Sequence, residues 1–202
     1  MAEYTVLVIG NGGREHAISW KLSQSPYVKQ IYVAPGNSGI ASVDKVSLVK
    51  INVKDYKEVA EWSKNNGVNV VVVGPEEYLA KGLANELHHV GIHCFGPQKE
   101  AAKIEADKDW AKQFMDRYNI PTAKWKGFTK AEEAKTFVKN APFRALVIKA
   151  SGLAAGKGVI VAKNVEEACQ AIDEILTDQK FGSAGESIVV EELLEGEEVS
   201  VL

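Results

Sequence analysis

The chain has 202 residues, 46% hydrophobic and 25% charged, which is typical of a globular protein and poor for a disordered, collagenous or coiled-coil one. Its 24 Lys and Arg against 27 Asp and Glu give a net charge of -3, which offers no support for non-specific nucleic-acid binding. Its longest apolar runs are about five to seven residues, whereas a segment that crosses a bilayer needs roughly 20. The N-terminus lacks a signal-peptide pattern, and Cys94 and Cys169 fit free thiols in a reducing compartment. We expect a cytoplasmic protein without a nucleic-acid or membrane partner.

The first 96 residues alternate between strand and helix periodicity. Strands are predicted at 4–9, 30–34, 46–53, 68–73 and 92–95, and helices around 17–22, 56–63 and 79–90. The run at 68–73 is apolar on both faces, as in a parallel sheet covered by helices on either side. Residues 1–96 are therefore predicted to form an open parallel-sheet α/β domain.

Beyond Pro97 the pattern changes. Helices predicted at 98–105 and 107–118 form a linker over 97–122 that closes with a hinge at 120–122. A second unit is predicted over 123–190. Its strands are expected at 125–128, 145–150, 159–162 and 187–193, and its helices at 131–139 and 165–176. Two of these strands follow each other directly across a glycine-rich loop.

A glycine turn, GNGGREH at positions 10–16, follows the first strand. Glycines in such a turn let the backbone approach a phosphate, and the following helix offers free N–H groups. A dinucleotide fingerprint would need glycine where Glu15 stands, and the acidic residue expected about 20 residues later is missing. The turn thus favours a phosphate other than that of NAD, the alternative being a tight turn without a ligand.

A second turn, VVVGPEEY at 71–78, follows the buried fourth strand. Ligands of open α/β sheets bind beyond the carboxyl ends of the strands, where both turns lie. Glu76 can accept hydrogen bonds from sugar hydroxyls. Equally, an acidic residue in the first turn of a helix is favoured by the helix dipole alone.

The loop KASGLAAGKGV at 149–159 combines two lysines with several glycines. It is not a P-loop, because the spacing differs, Gly158 follows Lys157 where Ser or Thr belongs, and the loop leads into a strand. We predict a flexible β-loop-β flap that carries Lys157 and closes over phosphates, with Lys149 on the preceding strand. The alternative is a glycine hairpin with solvated lysines, which Lys149 disfavours by interrupting an apolar strand.

The segment EELLEGEE at 191–198 holds five acids in eight residues and can be a solvated turn. Glu191, at the end of a β-branched strand, is its least ordinary member. The four histidines share no metal-ligand spacing, so no metal site is predicted within the chain.

Together these motifs resemble the glycinamide ribonucleotide synthetase (phosphoribosylamine–glycine ligase) family over all 202 residues. The resemblance rests on GNGGREHAISWKL, VAPGN, VVVGPE, CFGP, AKWKGFT, KASGLAAGKGVIVA and VVEELLEGEEVS, in this order. It is similar to the animal form, in which the ligase is the N-terminal part of a trifunctional purine-synthesis protein. The implied fold is α/β: an open parallel-sheet (pre-ATP-grasp) domain, then the first part of an ATP-grasp domain truncated at residue 202.

The resemblance implies an ATP-dependent ligase that joins 5-phosphoribosylamine and glycine through a glycyl phosphate, giving glycinamide ribonucleotide, ADP and phosphate. It implies Lys157 as catalytic residue and a set of ATP-binding residues: Lys149, Gly156, Lys157, Gly158, Glu191, Glu192, Leu193, Leu194 and Glu198. The implied phosphoribosyl-binding residues are Gly12, Gly13, Arg14, Glu15, Gly74, Pro75 and Glu76.

Family members continue beyond residue 202 with the second ATP-grasp subdomain and the ligands of Mg²⁺ (or Mn²⁺). The apolar strand predicted at 199–202 stops without a turn or polar cap, and 191–202 is interpreted as the hinge and the start of an incomplete core. We therefore expect a fragment that is inactive alone and belongs to a protein with further purine-synthesis domains. The alternatives are a non-catalytic nucleotide-binding or regulatory short product and, less favoured, a Rossmann oxidoreductase.

Overall fold

A computed structural model describes residues 3–154 and 156–201. Ala155 in the predicted flap, Leu202 in the strand predicted at 199–202, and Met1 and Ala2 lie outside the described residues. The chain divides into two compact units, Met1–Ala102 and Lys103–Leu202. The finer division into a linker at 97–122, a lid at 123–190 and a hinge at 191–202 stays a prediction.

The first unit is built on a five-stranded parallel sheet, which confirms the predicted open α/β architecture. Its strands are β1 (Tyr4–Gly10), β2 (Val28–Pro35), β3 (Val46–Leu48), β4 (Val70–Val73) and β5 (His93–Phe95). The spatial order is β3-β2-β1-β4-β5, and every neighbouring pair is parallel. Ile9 of β1 is in register with Val73 of β4, so the loops that follow these two strands leave the sheet side by side.

Helices cover both faces of this sheet. They are α1 (Gly13–Ser23), α2 (Ser38–Ala41), α3 (Tyr56–Asn65), α4 (Glu76–Ala80), α5 (Leu83–His89) and α6 (Lys99–Ala106). Because side chains alternate along a strand, Leu7 and Ile9 of β1 enter a core with α3 and α5. Val6 and Val8 enter a second core with residues of β2 and α1. The central strand is therefore buried on both sides.

Two local predictions for this unit were wrong. The helix predicted around 79–90 is two helices, because Gly82 adopts a left-handed conformation with φ of 102° between α4 and α5. The third strand ends at Leu48 rather than at residue 53.

The second unit contains a four-stranded antiparallel sheet. Its strands are β6 (Trp125–Phe128), β7 (Val147–Ala150), β8 (Val159–Val161) and β9 (Ile188–Glu191), in the order β6-β9-β7-β8. Its helices are α7 (Lys108–Arg117), α8 (Ala131–Asn140) and α9 (Val165–Ile172). The helix predicted at 165–176 continues past α9 as a π-helical turn, Asp173–Thr177, and a short 3-10 helix spans Gly182–Gly185.

The two faces of this sheet differ in character. Ile148 of β7 and Val190 of β9 point into an apolar core shared with α8 and α9. The alternate residues, Lys149 and Glu191, lie on the opposite face. The Lys149 and Glu191 side chains therefore meet on the face of the sheet opposite this core.

No helix among residues 3–154 and 156–201 is long and apolar enough to cross a membrane. Residues 192–201 form neither helix nor strand, so the strand predicted at 199–202 is absent from its described part.

Candidate functional site

The first glycine loop leaves β1 at Gly10, whose φ of 131° a residue with a side chain rarely adopts. Helix α1 begins three residues later at Gly13. Gly12, Gly13 and Arg14 are exposed, so the first turn of α1 presents its N–H groups and one guanidinium to solvent. This is a surface to which an anion can bind.

Glu15 is the buried member of the same loop, with only 3% of its surface exposed. Its Oε2 accepts from Gly12 N–H at 2.7 Å and its Oε1 from Arg14 Nε at 2.8 Å. Burial by itself would raise the pKa of Glu15, but these two hydrogen bonds outweigh it and hold the pKa below its usual range. The carboxylate thus contacts its own loop.

The second loop, Gly74 and Pro75, connects β4 to α4 and lies beside the first. Arg14 Nη1 lies 3.9 Å from Glu76 Oε2, with both side chains about half exposed. The structure therefore brings the two predicted sets of phosphoribosyl-binding residues together at one edge of the sheet. Their roles stay predictions.

A third loop, which the sequence reasoning did not assign to the site, supports the first. Asn37, after β2, donates from Nδ2 to the Asn11 carbonyl at 2.7 Å and accepts from Ile40 N–H at 3.0 Å. The available signal was the segment VAPGN, in which an asparagine stands at a helix N-cap after a strand.

In the second unit, the buried carboxylate of Glu191 forms ion pairs with two lysines. Glu191 is 5% exposed. Its Oε2 lies 2.9 Å from Lys149 Nζ and 3.2 Å from Lys112 Nζ. Lys112 is itself buried and also donates to Thr122 Oγ1 at 2.7 Å, whereas the Lys149 side chain remains 26% exposed. One carboxylate facing two ammonium groups leaves an excess positive charge with access to solvent.

A third lysine, Lys108, adds to this charge from the first turn of α7. Its Nζ donates to the Gly152 carbonyl at 3.2 Å. Burial lowers the pKa of Lys108 and the charge of Lys149 lowers it further, although Glu105 acts in the opposite direction. Lys108 and Lys112 were not predicted as site residues; their i, i+4 spacing, which puts them on one helix face, was the available signal.

Lys108 gives a test of this electrostatic arrangement. Because its pKa is lowered on folding, its charge destabilises the folded state at pH 7, and stability rises with pH between the folded-state pKa and the unfolded value of about 10.4. We expect Lys108→Met to raise the Tm at pH 7, and the gain to shrink as pH approaches 10. Thermal unfolding followed by circular dichroism measures both effects.

Lys103→Met, at an exposed position of α6, is the matched control and should leave the Tm unchanged. A lower Tm for Lys108→Met would mean that its bond to the Gly152 carbonyl outweighs desolvation, contrary to the expectation.

The predicted β-loop-β segment is present as the antiparallel pair β7 and β8, with Lys149 in register with Val159. Lys157 lies exposed in the loop between them, and its N–H donates to the Ala154 carbonyl at 2.9 Å. A Cβ on Gly158 would stand 2.7 Å from Ala154 Cβ and 3.2 Å from Ala150 Cβ, so this glycine allows the loop to pack on β7. Lys157 is therefore on the loop surface, apart from the paired Lys149.

The acidic segment after β9 is held by cations of its own unit. Glu192 pairs with Lys124 at 3.4 Å, and Glu195 pairs with Arg144. The N–H groups of Glu192 and Leu193 donate to the carbonyls of Lys124 and Arg144, both at 2.8 Å. Leu194 and Glu198 are exposed. Among residues 3–154 and 156–201, no three His, Cys, Asp or Glu side chains are grouped as a metal site.

Comparisons with known proteins divide the chain close to the boundary between its two structural units. Residues 4–105 match the family model described as phosphoribosylglycinamide synthetase, N domain, and residues 106–202 match its ATP-grasp (A) domain. The trifunctional purine biosynthetic protein adenosine-3 of Drosophila melanogaster is 60% identical over 202 residues, and that of Homo sapiens is 57% identical over 197. These matches cover 98% of this chain, but 15% and 20% of the two relatives.

Solved structures show the same architecture. A phosphoribosylamine–glycine ligase from Thermotoga maritima superposes with a TM-score of 0.73 at 28% identity, over 96% of this chain and 44% of that one. The biotin carboxylase domain of a Hydrogenobacter thermophilus 2-oxoglutarate carboxylase, complexed with MgADP, gives 0.72 at 21% identity, over 96% and 45%, and shares the fold alone. Because the two family models together account for residues 4–202, the chain belongs to the phosphoribosylglycinamide synthetase family.

Proposed function

We propose that the second unit binds the phosphates of ATP. The observation that carries this proposal is the pairing of Lys112 and Lys149 with the buried Glu191 carboxylate, with Lys108 close enough for the charges of Lys149 and Glu191 to act on its pKa. Lysines in a partly buried site repel one another; burial is the main cause of the lowered pKa of Lys108, and the charge of Lys149 lowers it further. A polyphosphate relieves this repulsion and accepts charge-assisted hydrogen bonds.

Within this proposal the lysines have different tasks. Lys112 is buried and stays with Glu191, whereas the partly exposed Lys149 can exchange that carboxylate for a phosphate oxygen. Lys157, on the exposed loop, supplies a further ammonium and is proposed as catalytic through charge neutralisation. Gly156 and Gly158 keep the loop free of side chains. The segment from Glu191 to Leu194, with Glu198, is proposed to receive the adenosine.

We propose that the first unit binds the phosphoribosyl group of 5-phosphoribosylamine. Support comes from the Arg14 guanidinium and the exposed N–H groups at the start of α1, an arrangement that suits a monophosphate. Glu76, on the neighbouring loop, can accept from ribose hydroxyls.

The whole protein is proposed to be a phosphoribosylamine–glycine ligase. ATP would supply a phosphoryl group to the glycine carboxylate, releasing ADP; the amine of phosphoribosylamine would then displace phosphate from the resulting glycyl phosphate. This chain would bind and orient reactants and neutralise charge. Among the described residues no three His, Cys, Asp or Glu side chains group as a metal site, and the ligands of Mg²⁺ are proposed to come from elsewhere in the protein.

Two further proposals follow from the relatives and the composition. The multifunctional relatives support a protein in which this chain is joined to further purine-synthesis domains. Free Cys94 and Cys169 are consistent with the proposed cytoplasmic location.

Titration of the purified chain with ADP and with ribose 5-phosphate, followed by NMR because binding should be weak, tests both sites. We expect Lys149→Ala to weaken ADP binding about tenfold or more while leaving ribose 5-phosphate unaffected, since one charge-assisted phosphate contact is worth about 1.5–3 kcal/mol. Arg14→Ala should produce the reverse pattern.

The control is Lys139→Ala, which removes an exposed lysine of α8 and should change neither titration. The assignment of two sites would be wrong if Lys149→Ala and Arg14→Ala both weakened binding of the same ligand, or if neither variant weakened binding. Binding of NAD in preference to ADP would favour the oxidoreductase alternative.

A further inference from the structure

We propose that Glu15 is a positioning residue, which orients the Arg14 guanidinium for the ligand without contacting the ligand itself. The inference rests on the proposed phosphoribosyl site and changes the role of one of its members. It would make the anion site depend on a buried carboxylate of the same loop.

The hydrogen bonds of Glu15 account for both of its oxygens. Oε2 accepts a hydrogen bond from the Gly12 N–H, and Oε1 accepts one from Arg14 Nε. Because Arg14 donates to Glu15 through Nε, its two terminal nitrogens remain available to a ligand. The Arg14 side chain is 56% exposed. The carboxylate therefore limits the orientations of a long side chain that solvent would otherwise leave free.

The Glu15 carboxylate fills a space bounded by Gly10 and Gly74. A Cβ on Gly74 would stand 1.9 Å from Oε1, and a Cβ on Gly10 would stand 2.5 Å from Cδ. The side chain thus fills the gap where β1 and β4 end, and only 4% of it is exposed. A ligand at the loop surface cannot reach a group enclosed in this way.

Charge alone predicts the opposite effect of Glu15 on the site. A carboxylate near a phosphate weakens its binding, so a role limited to local charge means that Glu15→Gln would tighten the ligand. A positioning role means that it weakens the ligand, because an amide has one acceptor oxygen for two donors and turns its NH₂ toward one of them. The sign of the change therefore separates the two roles.

The test is a double-mutant cycle on the complete chain, with ribose 5-phosphate as the probe and NMR titration as the readout. We expect Glu15→Gln to raise the Kd about tenfold, and to have less than a twofold effect in an Arg14→Ala background, since its action passes through Arg14. Glu61→Gln, an exposed carboxylate of α3, is the control and should leave the Kd unchanged.

A second measurement needs no variant. The Arg14 Nε–H resonance of the unliganded wild-type chain should be protected from exchange with water, because its proton is bonded to Glu15. A rapidly exchanging Nε–H would overturn the proposal, as would an unchanged or lower Kd for Glu15→Gln or an undiminished effect in the Arg14→Ala background. If Arg14→Ala itself does not weaken the probe, the proposed phosphoribosyl site fails instead.

Discussion

Glu191→Ala is expected to lower the free energy of unfolding by about 3–5 kcal/mol, the range for removing one partner of a buried ion pair. The substitution leaves Lys112, whose side chain is 9% exposed, with a buried ammonium whose remaining partners among the described residues are Thr122 Oγ1 and the more distant Ala123 carbonyl. Lys149 loses its carboxylate as well, but can turn to solvent. Urea unfolding measures the loss, and hydrogen exchange of β7 and β9 locates it in the second unit.

Glu192→Ala is the matched control, one residue along the chain. Its partner Lys124 is 65% exposed, so this ion pair should contribute less than about 1 kcal/mol. Similar losses for the two variants would contradict the view that Glu191 neutralises a buried cluster.

Gly74→Ala is expected to cost about 2–4 kcal/mol in the first unit. The new methyl group would overlap Glu15 Oε1, and inserting a carbon into a filled space costs about 1–3 kcal/mol. Displacing the carboxylate also weakens hydrogen bonds to a charged group, worth about 1.5–3 kcal/mol. Because Gly74 does not have a positive φ, the loss would be steric rather than conformational. Urea unfolding again provides the measurement.

Two variants check the cause of this loss. Gly13→Ala adds a methyl group with nothing within 4 Å at the start of α1, and should leave stability equal or higher. Gly74→Ala introduced into a Glu15→Ala chain should cost much less than in the wild type, because the overlapping side chain is gone. A full loss in that background would place the clash elsewhere.

Stability and binding are expected to separate in the second unit. Lys108→Met is predicted to stabilise the fold, and the same substitution removes one positive charge from the proposed phosphate site. Lys112 and Glu191, by contrast, are predicted to matter for folding first. The charge of Lys108 therefore destabilises the fold and is proposed to serve the ligand, whereas the charge of Lys112 is neutralised by Glu191 within the protein.

The sequence by itself determined most of the helices and strands. Alternation of strand and helix periods predicted the parallel sheet of the first unit, and the glycine-rich segment before residue 159 predicted the antiparallel pair β7 and β8. These features are local, since side-chain period and turn chemistry depend on neighbouring residues. The same local signals place glycine loops after β1 and β4, where the sheet brings them together.

Only the tertiary structure decided which charged groups meet. Lys149 and Glu191 are 42 residues apart and become partners through the register of β7 with β9, while Lys112 reaches them from α7. Glu15 is enclosed because β4, parallel to β1, places Gly74 against it; the substrate-binding role that the resemblance implies for Glu15 stays a prediction. Strand register and helix packing are set by burial over the whole unit, so no local window of sequence contains them.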